Sequence, residues 1–190
     1  MSDPNLKRRV AKFIEAMDSG VFTGADQLLV APDKGVEGIS TLLKRTRGDR
    51  GSVFLIGNGG SAAIASHIAN DLINTGHLDA RVMHDTALLT CFANDYGYDQ
   101  IYSRQIERVV CAEDVLLAIS SSGNSSNIVN AAVAFSNAGG TIITLTGFDE
   151  NNSLRRTGDF NYWIDSFDYG LVEIGHLFLL HHIAAMISES

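Results

Sequence analysis

The sequence predicts an α/β domain with a doubly wound parallel sheet, preceded by N-terminal helices. Three observations predict it. Four short apolar runs recur along the chain, at Ser52–Ile56, Asp114–Ile119, Thr141–Leu145 and Phe160–Ile164. Continuous apolar runs of this length suit strands buried on both faces of a parallel sheet. Segments of helical character separate the runs, and the first two runs end directly in glycine- or serine-rich loops.

The elements follow in order. From Leu6 to Arg47 the chain reads as helical. Val10, Phe13, Ile14 and Met17, and later Ile39, Leu42 and Leu43, recur at spacings of three and four. Gly20, Gly24, Pro32 and Gly35 break the stretch between them. Helices are then expected at Ala62–Leu72, Thr86–Ala93, Ile101–Val110 and Ser126–Ala138, and a last one from Leu171 to Ser188. In such sheets ligands bind at the carboxyl ends of the strands, where the informative loops fall.

Composition sets the outer limits. With 190 residues, 45% hydrophobic and 19% charged, the chain can bury one core and is neither disordered nor fibrous. The 14 basic residues against 22 acidic ones leave a net charge of −8. No nucleic-acid or anionic-membrane partner is therefore expected, although a helix N-terminus can still bind a small anion. The polar, basic N-terminus lacks an apolar core, so no signal peptide is expected, and no apolar run of membrane-spanning length is expected. Cys91 and Cys111 sit in apolar stretches and read as reduced core thiols of a cytoplasmic protein.

The loop Gly57-Asn58-Gly59-Gly60-Ser61 joins a strand to a helix, so its glycines allow close backbone approach and the helix beyond offers free amides. It is not the dinucleotide fingerprint, since position 62 is alanine and no acidic residue ends a second strand at the expected distance. Nor is it a Walker loop, because no lysine follows. The second loop, Ser120–Ser126, carries six hydroxyl or amide side chains and one glycine. Such groups satisfy phosphate oxygens without a cation, although Ser125 or Ser126 could simply cap the next helix. A third feature joins histidines and carboxylates. His67 and Asp71 are four apart and share a helix face. Glu173 and His181, eight apart, lie about 80° apart around the last helix and could converge with them for Zn²⁺ binding or proton transfer.

These residues resemble the phosphoheptose isomerase group of the sugar isomerase, or SIS, superfamily. The matching stretches are Ile56–Leu72, Ala93–Arg104, Asp114–Asn127, Thr141–Gly147 and Val172–His181. The resemblance implies a single SIS domain with a flavodoxin-like sheet at 51–190 and an N-terminal helical segment at 1–50 that serves assembly, in one globular unit. It also implies a homotetramer with active sites built between subunits. Family phosphate-binding positions map to Ser61, Ser120, Ser122 and Ser125, with Asn58 lining the site. Gly59 and Ser121 join them from the two loops, and Asn94 and Asp95 from the stretch after Ala93. Family metal and acid–base positions map to His67, Asp71, Glu173 and His181, implying one Zn²⁺ per subunit, with Asp71 as base and His181 as acid.

The implied activity converts sedoheptulose 7-phosphate to D-glycero-D-manno-heptose 7-phosphate through an enediol. Two departures stand out. Asp71 and Glu173 occupy positions where the family isomerases carry Glu and Gln, and Gly170 stands near the place of a family Asp. A noncatalytic SIS protein that binds a sugar phosphate or a protein partner is the rival expectation.

Overall fold

The computed structural model describes residues 5–188. The chain runs α1 (Leu6–Asp18), β1 (Val21–Gly24), β2 (Leu29–Val30), α2 (Pro32–Gly48), β3 (Ser52–Gly57), α3 (Gly60–Asn74) and β4 (Asp79–Val82). It continues through α4 (Thr86–Tyr96), a 3₁₀ turn at Tyr98–Gln100, α5 (Ser103–Val109), β5 (Val115–Ser120), α6 (Ser126–Asn137), β6 (Thr141–Gly147), β7 (Phe160–Ile164) and α7 (Tyr169–Ser188).

The apolar runs are strands because each must feed two cores. On β3, Val53 and Leu55 face one side of the sheet, while Phe54 and Ile56 face the other. On β5, Val115, Leu117 and Ile119 are opposed in the same way to Leu116 and Ala118. The first core is closed by α2, α3 and α7, and the second by α5 and α6 with partial cover from α4. The sheet order is β2-β1-β7-β6-β5-β3-β4. Its five parallel strands, in order of appearance, give the 2-1-3-4-5 arrangement of a flavodoxin-like sheet. The order reverses between β3 and β5, where Gly57 pairs with Ile119.

The structure departs from the sequence reading in several places. The break between the N-terminal helices holds a hairpin, in which β1 pairs antiparallel with both β2 and β7, so the N-terminal segment adds two strands to the main sheet. The edge strand β4 also escaped sequence reading. Its sequence, DARV, buries only Ala80, because an edge strand beside solvent needs no apolar run. Cys91 and Cys111 are free but exposed, since no residue of α4 is buried and Cys111 lies in the turn before β5.

Helix α7 is, contrary to expectation, long and apolar enough to cross a membrane by length and composition, with a mean hydropathy of 1.5. Here its apolar side chains complete the first core, with Val172, Leu180, Ile183 and Ile187 all buried. Helix α1 lies across it. Phe13 meets Phe178 edge to face, and Arg9 forms a two-pronged pair with Asp168, at 2.5 and 2.7 Å. That pair, reinforced by the Leu171 amide, holds the Asp168 carboxyl down at about 2.

Candidate functional site

The switch point places the two polar loops side by side. Tyr102 donates from its hydroxyl to the Gly57 carbonyl at 2.8 Å, and burial pushes its pKa up to about 12, so it remains a donor. Asn58 follows, locked in a reciprocal amide pair. Its Nδ2 donates to Asn127 Oδ1 at 3.0 Å, and Asn127 Nδ2 donates back at 2.8 Å. The Tyr98 hydroxyl adds a third bond, to Asn58 Oδ1 at 3.2 Å. One amide hydrogen of Asn58 is left for a ligand.

The serine loop turns tightly at Gly123, whose φ is +62°. The Gly123 amide donates back to the Ser120 carbonyl at 3.0 Å, and the Gly147 amide donates to the Ser121 carbonyl at 2.9 Å. Ser125 stands at the N-cap of α6 but makes no side-chain capping bond. Its hydroxyl instead faces Ser120 Oγ at 3.5 Å. Ser121 Oγ is buried without a partner. A hydroxyl left this way costs free energy unless a ligand engages it. Asn58, Ser61, Ser120, Ser121, Ser122 and Ser125 thus line one cavity of about 150 Å³, together with Ile119, Tyr169 and Glu173. Uncharged donors and the open end of α6 suit this cavity to an anion.

His67, Asp71 and His181 form a second cluster, between α3 and α7. His181 Nδ1 lies 3.0 Å and His67 Nε2 3.9 Å from Asp71 Oδ2, and the two imidazoles meet edge to face. One donor atom from each lies within 4.8 Å of the others. Two nitrogens and a carboxylate oxygen at this spacing fit a three-ligand Zn²⁺ site with an open position, where ligand atoms sit about 3.3 Å apart.

Glu173 is not part of that trio. Eight residues along α7 separate it from His181 by about 12 Å of rise, and it lines the serine cavity instead. Gly59 and Asn58 also line a neighbouring cleft of about 450 Å³. In that cleft His84 is half-buried, Nε2 has no partner, and burial pulls its pKa down. Asn94 and Asp95 line neither cavity, and the Asn94 amide donates to Asp95 at 2.8 Å on α4.

Sequence reasoning missed Asn127, Tyr98, Tyr102 and Tyr169. The first three lie inside the resembling stretches Asp114–Asn127 and Ala93–Arg104, but nothing in their spacing indicated that they buttress a loop many residues away.

Comparison with known proteins agrees with this fold. A model of the SIS domain matches residues 25–147. A phosphoheptose isomerase from Geotalea uraniireducens is 32% identical over 160 residues, covering 81% of this chain and 84% of its own length. One from Mycobacterium tuberculosis is 36% identical, covering 73% of each chain. The solved phosphoheptose isomerase of Neisseria gonorrhoeae superposes with a TM-score of 0.81 at 31% identity, over 98% of this chain and all of that one. The chain is thus a SIS-domain protein and belongs to the phosphoheptose isomerase family.

Proposed function

We propose that this protein is an aldose–ketose isomerase that converts sedoheptulose 7-phosphate to D-glycero-D-manno-heptose 7-phosphate through an enediol. One observation carries this assignment: a pocket of hydroxyl and amide donors with Glu173 at the switch point is lined from α3 and α7, the two helices that also carry a carboxylate–histidine cluster. The isomerase names of its relatives support it over a noncatalytic SIS protein.

The serine loop and Asn58 hold the phosphate. Binding energy gained there, remote from the reaction, positions the reacting carbons. Ser61 lines the phosphate pocket, and His67 lies six residues further along α3, about 9 Å by helical rise, a span that a sugar chain bridges. Asp71 directs Oδ2 at the two histidines, and its Oδ1, which accepts only a long 3.5 Å bond from Asn70, removes the proton next to the carbonyl. His181 serves as acid at the substrate oxygen. His67, Asp71 and His181 are the residues that would hold Zn²⁺, one per subunit. When bound, the metal supplies polarisation of the carbonyl.

Assembly as a homotetramer fits the surface. Leu6, Val10 and Ile14 on α1 are exposed beside exposed Ile174 and Phe178 on α7, an apolar stripe suited to a second copy. Two unpaired, exposed cysteines suit a reducing cytoplasm. The direct test is NMR of purified protein mixed with sedoheptulose 7-phosphate. Appearance of the aldoheptose phosphate is expected, and its absence both with and without added Zn²⁺ refutes the activity.

A further inference from the structure

A further cavity, of about 340 Å³, lies between the edge strand β4 and helices α4 and α5, on the side of the sheet away from the histidine cluster. It shares no residue with the serine cavity, the neighbouring cleft or that cluster. Its floor is apolar. Phe54 and Met83 are buried members of the second core, and Phe92 packs partly buried beside them. Leu88 extends this surface, 44% exposed on a helix that buries none of its own residues.

Three cations surround the apolar floor, in a chain whose net charge is −8. Arg81 grips Asp79 through Nε at 3.0 Å and Nη2 at 2.5 Å, which leaves three of its five N–H groups free. Arg104 has only a long 3.4 Å bond to Glu107, and its guanidinium lies 4.9 Å from the centre of the Tyr96 ring. Among the described residues, Arg108 makes no hydrogen bond or ion pair. Arg104 and Arg108 are four apart on α5, so their like charges share a face and oppose each other. The one carboxylate lining the cavity is engaged elsewhere. Asp85 Oδ1 caps α4 by accepting from the Leu88 amide at 3.0 Å. A second copy of the chain does not answer this charge. In a two-fold contact a patch faces itself, so a contact centred here sets arginines against arginines.

We propose that this cavity binds a small planar aromatic anion, a class that includes both aryl phosphates and nucleoside monophosphates. The ring packs on Phe54, Met83 and Phe92. The acidic group takes charge-assisted hydrogen bonds from Arg104, Arg108 and the free N–H groups of Arg81, relieving the repulsion along α5. The volume suits one such molecule. The site stands apart from the serine pocket and does not depend on turnover there.

Methionine methyl NMR tests this directly. Met83 lines the cavity, whereas Met17 lies against Gly175 of α7 and Met186 against Ser40 of α2, so one methyl reports and two serve as controls. The full-length protein is titrated with 1-naphthyl phosphate, 1-naphthol, inorganic phosphate and adenosine 5′-monophosphate. Naphthyl phosphate should shift the Met83 methyl and leave the other two in place. Naphthol lacks the charge and inorganic phosphate lacks the ring, so each should bind there at least about tenfold more weakly. Arg104 and Arg108 are exposed, so Arg104→Ala combined with Arg108→Ala is expected to fold. It should weaken naphthyl phosphate about tenfold or more. Tighter binding of adenosine monophosphate than of naphthyl phosphate assigns the site to nucleotides, and the reverse assigns it to aryl acids; either order upholds it. A Met83 methyl that neither aromatic anion moves, or a shift unchanged in the double variant, overturns the proposal. A lower mass of the double variant by light scattering makes the cavity a contact between copies and overturns it as well.

Discussion

Gly123 shows how much a single residue governs at this site. Its φ of +62° lies in the left-handed region, and an added Cβ would stand 2.0 Å from Asn152 Oδ1. Asn152 cannot give way easily, since it is fully buried and its Oδ1 accepts from the Arg155 amide at 2.9 Å. Gly123→Ala should therefore destabilise the protein by more than about 1 kcal/mol, measured by urea denaturation. Ser121 should behave in the opposite way. Its buried hydroxyl has no partner, so Ser121→Ala should leave stability within about 0.5 kcal/mol. The same change should weaken binding of sedoheptulose 7-phosphate about tenfold by calorimetry. A large stability loss without an affinity change would mean that this hydroxyl serves the fold and not the ligand. The polar cluster of serines was legible because it interrupts apolar sequence. The Asn58–Asn127 pair was not, because its partners lie 69 residues apart and meet only when β3 and β5 pair.

At the scale of the element, α7 joins the core to both clusters. His176, fully buried on its inner face, donates from Nε2 to the Thr146 carbonyl at 3.0 Å in its neutral form. Burial pulls its pKa from 6.5 down to about 4, against a small opposing effect of that hydrogen bond. The unfolded chain therefore binds a proton at a higher pH than the folded one. Stability contributed by neutral His176 is full above about 6.5 and is lost as pH falls toward 4. At about 1.4 kcal/mol per pH unit, the loss reaches roughly 3 kcal/mol. Urea midpoints should fall across that window, and His176→Gln should flatten the profile. An unchanged slope in that variant would remove His176 as the cause. The same helix shows what angular reasoning leaves out. An angle of about 80° puts Glu173 and His181 near one face, but about 12 Å of rise separates them within one chain, so Glu173 lines the serine cavity while His181 stands beside Asp71.

For the whole molecule, the unresolved demand is the exposed apolar stripe across α1 and α7. Leu6 is 76% exposed and Phe178 59%, on a helix α1 that buries only Ala16 and a helix α7 that otherwise packs into the core. If a second copy covers the stripe, Val10→Asp with Ile14→Asp should reduce the mass seen by light scattering to that of the 20.5 kDa chain. Circular dichroism should remain unchanged. An unaltered mass would place the subunit contact elsewhere. The charge of −8 acts at this scale too, since like charge opposes contact between copies and leaves apolar surface as the place where the proposed assembly would form.

By itself, the sequence determined the α/β class, the four central strands and the two polar loops that end the first two of them. Those features are written in local chemistry: apolar runs that must be buried, and glycines and serines that end them. It did not disclose β1, β2 or β4, whose short, mixed sequences become strands only because a neighbouring edge offers hydrogen bonds. The tertiary structure alone decided which polar residues meet. It brought His181 to Asp71 and His67, and set Glu173 on Gly60, because contacts between α3 and α7 depend on how two helices lie across one sheet. Residue spacing measures position along a chain, whereas a binding site is made by distances across it.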